Sequence, residues 1–287
     1  MNNIEPRFSK PASFFWLFRP NRTIMVALIT GAAAFTAGAG YSRSLWMTLA
    51  GWLLAVGGFS LDLYADRDLD VEGTRSKIRR NPLADGSLSP LTGLIYSLTF
   101  ISASLVVTLL VAPWALLSWA GVMVVVTGLA LHIFETPLAR ALTLGLLQAL
   151  YLLMGASAGQ LSPGLGFMAG TFFFAMFGGR GMTDIRDFPQ DRLTRVQTLP
   201  KKYGVKRTAW FTGICLLISY ALSFGAYLTG EFNIIYLYLD LVFIATGVVC
   251  AWLFVRRPTP ELAYTLTLIF MMGMGFVITL AMVLGSI

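Results

Sequence analysis

Nine apolar stretches follow one another along the chain, and they constrain its fold more than any other feature. They cover about residues 23–40, 44–65, 89–111, 113–133, 137–159, 164–183, 207–229, 233–255 and 261–284. A helix needs about 20 apolar residues to cross a bilayer. The chain is 56% hydrophobic and only 12% charged, whereas an ordinary soluble domain has about 25% charged residues. We therefore expect an all-α integral membrane protein, with nine transmembrane helices in a single membrane domain over residues 1–287.

Basic residues lie almost entirely on one side of these predicted spans. If the N-terminus is cytoplasmic, all of the 21 Lys and Arg residues except Arg43 fall on the cytoplasmic side. We therefore expect a multi-pass protein of a bacterial or archaeal cell membrane, with cytoplasmic loops over about residues 62–88 and 184–206. The net charge of +7 reflects this topology and phosphate binding, and it gives no case for a nucleic-acid partner.

The first acidic motif ends the second apolar stretch. Asp62, Asp66 and Asp70 are four residues apart, so on a helix they share one face, where like charges repel. Ionisable groups at the edge of a bilayer are costly and usually mark function. A hard divalent cation such as Mg²⁺, held by carboxylates and by substrate phosphates, is the positive partner that fits best.

A second acidic motif follows the sixth apolar stretch, on the same predicted side. Asp184, Asp187 and Asp191 again share one helical face. Two acidic faces indicate a shared metal–diphosphate site, because carboxylates cannot hold a diphosphate without bridging metal ions. Arginine and lysine side chains would complete the charge balance. The candidate diphosphate contacts are Arg75, Lys77, Arg79, Arg80, Arg180 and Lys201.

The same pattern fits chemistry at an allylic carbon. Metal ions would stabilise a diphosphate as it leaves that carbon. The resulting cation needs an apolar, aromatic cavity that excludes water, and the chain has 21 Phe, 7 Trp and 10 Tyr. A prenyl tail would enter such a cavity sideways from the lipid.

These residues resemble the UbiA superfamily of intramembrane prenyltransferases. Its first motif, N-x-x-x-D-x-x-x-D, is similar to Asp62-x-x-x-Asp66-x-x-x-Asp70, with Asp62 where the family usually has Asn. Its second, D-x-x-D-x-x-x-D, corresponds to 184–191, and its R-x-x-T-L-P continuation corresponds to 195–200. The resemblance covers nearly the whole chain. It implies a UbiA-like bundle around a central apolar cavity, and a Mg²⁺-dependent prenyltransferase whose allylic cation is attacked by the acceptor. Two Mg²⁺ ions are expected, and their ligands and the catalytic residues would be Asp62, Asp66, Asp70, Asp184, Asp187 and Asp191.

The acceptor and two rival functions stay open at this point. The expected partners are a prenyl diphosphate, membrane lipid and an acceptor that is an aromatic or quinone precursor or another lipid precursor. A quinone-ring acid, a tetrapyrrole, a glycerol phosphate and a sugar phosphate all remain open as the acceptor. One rival is a UbiA-like terpene cyclase. The other is a transporter of an anionic lipid or metabolite, which would need a midplane site, and no polar cluster is expected away from the motifs. Two roles stay open for Arg19 and Arg22: contact with lipid headgroups, which the interfacial pattern favours, and a place facing the active site. Asp85 is interpreted as solvated and Asp240 as interfacial.

Overall fold

Helices make up most of the described chain. A computed structural model describes residues 10–68, 81–134, 136–192 and 196–287, and none of these residues forms a β-strand. The helices are α1 (Lys10–Phe18), α2 (Pro20–Thr36), α3 (Tyr41–Ala65), α4 (Pro90–Val111), α5 (Leu116–Ala130), α6 (Pro137–Ala156), α7 (Pro163–Asp191), α8 (Leu199–Tyr203), α9 (Val205–Leu228), α10 (Ile234–Arg256), α11 (Pro260–Leu268) and α12 (Gly275–Gly285). The predicted all-α fold class is confirmed for the described residues.

Six described helical segments are long and apolar enough to cross a membrane. They are Tyr41–Ala65, Pro90–Val111, Pro113–Ala130, Pro137–Ala156, Val205–Leu228 and Ile234–Arg256. The other three predicted spans correspond to α2, α7 and the run from α11 to α12. Helix α2 has 17 residues, α7 contains the second acidic motif, and a π-helical segment at Ile269–Met274 separates α11 from α12. The count of nine transmembrane helices therefore stays a prediction.

A Ser/Thr–Pro pair begins several of the long helices. In each pair the hydroxyl accepts a hydrogen bond from a backbone N–H of the first turn, and proline occupies a position whose N–H has no helical partner. The pairs are Ser89–Pro90, Thr136–Pro137, Ser162–Pro163 and Thr259–Pro260. These local signals fix where α4, α6, α7 and α11 start.

The helices pack as a closed bundle. Helix α2 packs on α3 and α6, α7 packs on α6 and α9, and α12 packs on α10 and back on α2. Small residues permit close approach: a Cβ at Gly181 of α7 would collide with Thr212 of α9. The Thr212 hydroxyl donates to the Gly178 carbonyl at 2.9 Å. These contacts fix α7 against α9 just before the second acidic motif.

Helix α1 covers the motif end of the bundle. Its Leu17 is fully buried and forms a small core with Leu63 of α3 and with Leu83 and Leu88. The Asn81 side chain donates to the Leu63 carbonyl at 2.8 Å. This packing holds the start of α2 beside the end of α3, where the first acidic motif begins.

Two acidic side chains that were expected at solvent or at the interface are buried. Asp85 is buried and accepts a hydrogen bond from the Ser87 N–H at 2.9 Å. Asp240 is fully buried, with the Ser223 hydroxyl donating to its carboxyl group. The Tyr236 hydroxyl donates to the Ser223 carbonyl at 2.9 Å. The expectation that no polar cluster lies inside the bundle away from the motifs is therefore wrong, and it no longer argues against a transporter.

Candidate active site

The first acidic motif lies at the end of α3. Asp62 is in the last turn, and Asp66 is the C-cap residue, whose N–H donates to the Asp62 carbonyl at 2.9 Å. The Asp62 Oδ2 atom lies 3.3 Å from Arg19 Nη1, and the two side chains are about one third and one quarter exposed. Asp70 lies outside the described residues. The cationic partner of Asp62 thus comes from the residue that precedes α2.

The second acidic motif is part of α7, which continues to Asp191. Asp184 is buried, and its Oδ1 atom lies 2.7 Å from Arg180 Nε. That contact is an ion pair without hydrogen-bond geometry. The other Asp184 oxygen accepts the Leu199 N–H at 3.0 Å. Asp184 therefore joins α7 to the start of α8, while it neutralises the Arg180 charge.

Arg186 lies inside the second motif and pairs with its neighbour. Its Nε and Nη2 atoms donate to the two Asp187 oxygens, each at 2.8 Å. These hydrogen bonds raise the pKa of Arg186, and the charges of Asp187, Tyr264 and Asp191 act in the same direction against burial. Asp191 is buried. The described carboxylates therefore alternate with guanidinium groups along this end of α7.

Arg22, in the first turn of α2, combines an exposed surface with many surrounding protein atoms, and we call the space that it faces the cleft. Its surface is accessible to solvent, yet burial by surrounding protein atoms and the nearby Arg19 charge lower its pKa to about 10. The guanidinium carbons of Arg19 and Arg22 lie 5.8 and 5.9 Å from the centroid of the Phe59 ring. Both arginines are therefore on the same side of α3, within one turn of Asp62.

Arg22 is within electrostatic reach of both acidic motifs. The negative charge of Asp62, from the first motif, raises its pKa, and the positive charges of Arg186 and Arg180, from the second, lower it. The charges of residues on α3 and on α7 both act on Arg22. The two motifs therefore face a common space at this end of the bundle. Of the two roles left open for Arg19 and Arg22, these contacts favour a place inside the site over contact with lipid headgroups.

The predicted diphosphate contacts are only partly described. Arg180 pairs with Asp184, and the Lys201 ammonium of α8 donates to the Val196 carbonyl at 3.4 Å. Arg75, Lys77, Arg79 and Arg80 lie outside the described residues. The predicted set of diphosphate contacts did not include Arg19, Arg22 or Arg186. Their signal was present: Arg186 lies between two motif aspartates, and Arg19 and Arg22 immediately precede the first apolar stretch.

The motif carboxylates are suitable ligands for Mg²⁺, because this ion prefers oxygen ligands. Within residues 10–68, 81–134, 136–192 and 196–287, no three acidic, His or Cys side chains are grouped closely enough to hold a metal ion. Asp62, Asp184 and Asp187 are instead paired with arginines. Metal binding would therefore require these aspartates to exchange an arginine partner for a metal ion.

Comparison with known proteins extends the likeness beyond the two motifs. The family model described as the UbiA prenyltransferase family matches residues 23–284. The chain belongs to this family. The predicted enzyme class is thereby confirmed: this UbiA protein is an intramembrane prenyltransferase.

Two archaeal relatives of this UbiA protein match over most of its length, and a third relative matches over a shorter part. It is 25% identical over 266 residues to the digeranylgeranylglyceryl phosphate synthase of Natronomonas pharaonis, with 91% of this chain and 94% of the relative covered. It is 26% identical to the synthase of the same name from Methanococcus vannielii, over 75% of this chain and 76% of the relative. A protoheme IX farnesyltransferase from Roseiflexus is 31% identical over only 39% of this chain and 22% of its own length.

Solved structures share the fold of this UbiA protein. A UbiA homologue from Archaeoglobus fulgidus bound to DMAPP and Mg²⁺ has a TM-score of 0.76 at 18% identity, covering 95% of this chain and 97% of that one. A structure of digeranylgeranylglyceryl phosphate synthase has a TM-score of 0.75 at 20% identity, covering 96% and 98% of the two chains. Both support the UbiA-like helical bundle.

Proposed function

We propose that this protein uses Mg²⁺ to transfer a prenyl group from a prenyl diphosphate to the hydroxyl group of a glycerol phosphate lipid. The observation that carries the proposal is that arginines pair with carboxylates of both acidic motifs, Arg19 with Asp62 at 3.3 Å and Arg180 with Asp184 at 2.7 Å. Arg22 lies near residues of both motifs. Carboxylates and guanidinium groups around one cleft are the side chains that a metal-bound diphosphate requires. The Archaeoglobus fulgidus homologue bound to DMAPP and Mg²⁺ supports the donor and the metal.

Two Mg²⁺ ions would bind at the two ends of this cleft. When bound, the ions supply positive charge that stabilises the leaving diphosphate. Asp62, Asp66 and Asp70 would hold one ion, and Asp184, Asp187 and Asp191 the other. The arginines that now neutralise Asp62, Asp184 and Asp187 would then be released. A guanidinium group fits phosphate oxygens in a bidentate way.

The chain's own side chains would bind and enclose the donor. Arg180 and Lys201, with Arg75, Lys77, Arg79 and Arg80, would contact the diphosphate. Partly buried aromatic rings lie on α7 towards the motif. The ring centroids of Phe173 and Phe177 are 5.6 Å apart, and those of Phe177 and Phe211 of α9 are 4.9 Å apart. Such rings would form part of the wall of the predicted apolar cavity and would keep water from the allylic centre.

The names of the relatives support a glycerol phosphate lipid as the acceptor. Those from Natronomonas pharaonis and Methanococcus vannielii are called digeranylgeranylglyceryl phosphate synthase, a name that describes a glyceryl phosphate with two prenyl chains. We therefore extend the proposal to a cell membrane of archaeal type, with both motifs on the cytoplasmic side.

A single assay tests the reaction. The purified protein is incubated with Mg²⁺, geranylgeranyl diphosphate and geranylgeranylglyceryl phosphate, and lipids are analysed by mass spectrometry. The expected product carries two geranylgeranyl groups, and an Asp66→Asn variant should not form it. Diphosphate release without acceptor, accompanied by a cyclic hydrocarbon, would instead identify a terpene cyclase. Transport of the acceptor into vesicles without chemical change would identify a carrier.

A further inference from the structure

Arg22 differs from its neighbouring arginines in having no anionic partner among the described residues. Arg19, Arg180 and Arg186 each lie within 3.3 Å of a carboxylate oxygen. Arg22 has no hydrogen bond or ion pair to another described side chain, although its surface faces the cleft. A cation held among other cations is unfavourable unless an anion joins them, and a phosphate group is the anion that arginines bind best.

An apolar groove lies beside this cation. It has a volume of about 360 Å³ and is lined by Ile24 and Leu28 of α2 and by Leu45, Leu49 and Trp52 of α3, among others. The groove follows two helices that continue to the site: α2 begins next to Arg19, and α3 ends at the first acidic motif. A hydrocarbon chain in it would therefore have its head group near the arginines.

An aromatic contact connects the groove with the arginines. Trp52 is stacked on Phe18, with ring centroids 5.9 Å apart, and Phe18 immediately precedes Arg19. On the other side, Arg19 and Arg22 both lie over Phe59, two helical turns from Trp52 on α3. The cationic arginines and the apolar groove are thus adjacent parts of one surface.

We infer that Arg22 and Arg19 bind the phosphate of the acceptor and that the groove between α2 and α3 holds its hydrocarbon chain. The occupant is a single-chain glycerol phosphate lipid, and this identity rests on the proposed function. The assignment separates the two substrates: the acidic motifs and the cations of the second motif bind the donor diphosphate, and the start of α2 selects an acceptor with a phosphate group.

The arginine part is tested with a matched pair of acceptors. Geranylgeranylglyceryl phosphate and its dephosphorylated form, geranylgeranylglycerol, are compared in Arg22→Gln and Arg22→Lys variants at saturating geranylgeranyl diphosphate. Arg22→Gln should raise KM for the phosphorylated acceptor on the order of tenfold to a hundredfold, which is the effect of losing a charge-assisted hydrogen bond. The rise in KM should be much smaller for the donor and for geranylgeranylglycerol, and Arg22→Lys should restore part of the affinity for the phosphorylated acceptor.

The control for this charge change is Arg43→Gln, which removes a basic residue at the opposite end of the bundle and should change neither KM. A rise in the donor KM as large as the rise in the acceptor KM in Arg22→Gln would overturn the inference and would place Arg22 in the diphosphate site. An equal rise in KM for both acceptors would also overturn the inference, because the effect would then not depend on the acceptor phosphate.

The groove part is tested by filling it. Leu28→Trp places a large ring in the groove and should raise KM for the single-chain acceptor while leaving KM for the donor unchanged. Leu98→Trp, at an exposed position on α4, is the matched control and should behave like the wild type. An unchanged acceptor KM in Leu28→Trp would exclude the groove as the chain site.

A binding measurement separates this inference from the proposed reaction. Lysophosphatidic acid, a single-chain glycerol phosphate lipid, is titrated into the protein in the presence of EDTA, so that no metal-dependent diphosphate site can form. Binding that weakens about tenfold or more in Arg22→Gln would support the anion site, even if no prenyl transfer to a glycerol phosphate occurs. Equal binding by the wild type and Arg22→Gln would overturn the inference, even if that transfer is observed.

Discussion

Arg19 and Asp62 form an ion pair at 3.3 Å that joins the residue before α2 to the last turn of α3. Arg19 has a left-handed backbone with φ of 45°, a conformation that is costly for a residue with a Cβ. It also precedes Pro20, which disfavours helical backbone at this position. The fully buried Leu17 and the ion pair with Asp62 are the contacts that hold this turn. The ion pair therefore holds the start of α2 against the first acidic motif.

The first prediction concerns Asp62, which stands where the family usually has Asn. Asp62→Asn keeps an oxygen ligand of nearly the same reach but loses its charge, so it should retain substantial activity and require more Mg²⁺. Asp62→Ala removes the ligand and should be far less active at any Mg²⁺ concentration. A magnesium titration of both variants at saturating prenyl diphosphate checks this. If Asp62→Asn and Asp62→Ala behave alike, or if Asp62→Ala retains full activity, Asp62 is not a ligand and the first metal site would consist of Asp66 and Asp70.

The second prediction concerns one aspartate from each motif. Asp66→Asn and Asp187→Asn should each abolish turnover without unfolding the protein, because each loses a charged ligand that helps to stabilise the leaving group, an effect worth several kcal/mol. EDTA should have the same effect on the wild type. Diphosphate release is the measurement. The control is Asp68→Asn, since Asp68 is well exposed and its ion-pair partner among the described residues is its neighbour Arg67. Activity near the wild-type level in either motif variant would remove that motif from the metal site.

The third prediction concerns topology. The distribution of basic residues favours a cytoplasmic N-terminus and nine spans, which places the C-terminus on the outer side. Reporter fusions after Asp85 and Thr194 should give cytoplasmic signals, and fusions after Ser42 and Ile287 should give outer signals. A cytoplasmic signal at both Asp85 and Ile287 would be incompatible with nine alternating spans.

The fourth prediction concerns the buried carboxylate of the second motif. Asp184→Ala leaves the Arg180 charge and the Leu199 N–H without their partner, and we expect a loss of about 2–3 kcal/mol in unfolding free energy. Asp184→Asn keeps an acceptor for the N–H and should lose less. Apparent melting temperatures in detergent, with Asp68→Ala as the surface control, compare the variants. Equal melting temperatures of Asp184→Ala and Asp184→Asn would show that the hydrogen bond from the Leu199 N–H contributes nothing to stability.

Much of the fold could be predicted because it depends on local patterns. Apolar stretches of bilayer length predict helices whatever their neighbours are, and a Ser or Thr before Pro predicts where a helix begins. The spacing of Asp184, Asp187 and Asp191 predicts one helical face, and all three lie within α7. The π-helical segment at Ile269–Met274 has no comparable local signal, and the sequence predicted an uninterrupted helix there.

The roles of other residues could not be predicted because they depend on contacts between distant segments. An arginine at the start of an apolar stretch has the same local pattern whether it binds lipid headgroups or lines a cleft. Arg22 is distinguished only by its place between α3 and α7. Asp240 was interpreted as interfacial because it lies near the start of its helix, whereas its partner Ser223 is on α9.

The last prediction follows from that buried pair. Asp240 is fully buried, and one of its oxygens has no hydrogen-bond partner among the described residues. Asp240→Asn keeps an oxygen for the Ser223 hydroxyl and removes the need to bury a carboxyl group, so it should be as stable as the wild type or more stable. Asp240→Ala removes the carboxyl acceptor of the Ser223 hydroxyl and opens a cavity, at a cost of about 2–4 kcal/mol. Both variants should keep wild-type KM values for donor and acceptor, since the pair lies away from the motifs. Melting temperatures and steady-state kinetics in one detergent make the comparison. A stable Asp240→Asn protein without activity would show that the carboxyl group itself has a role in the reaction.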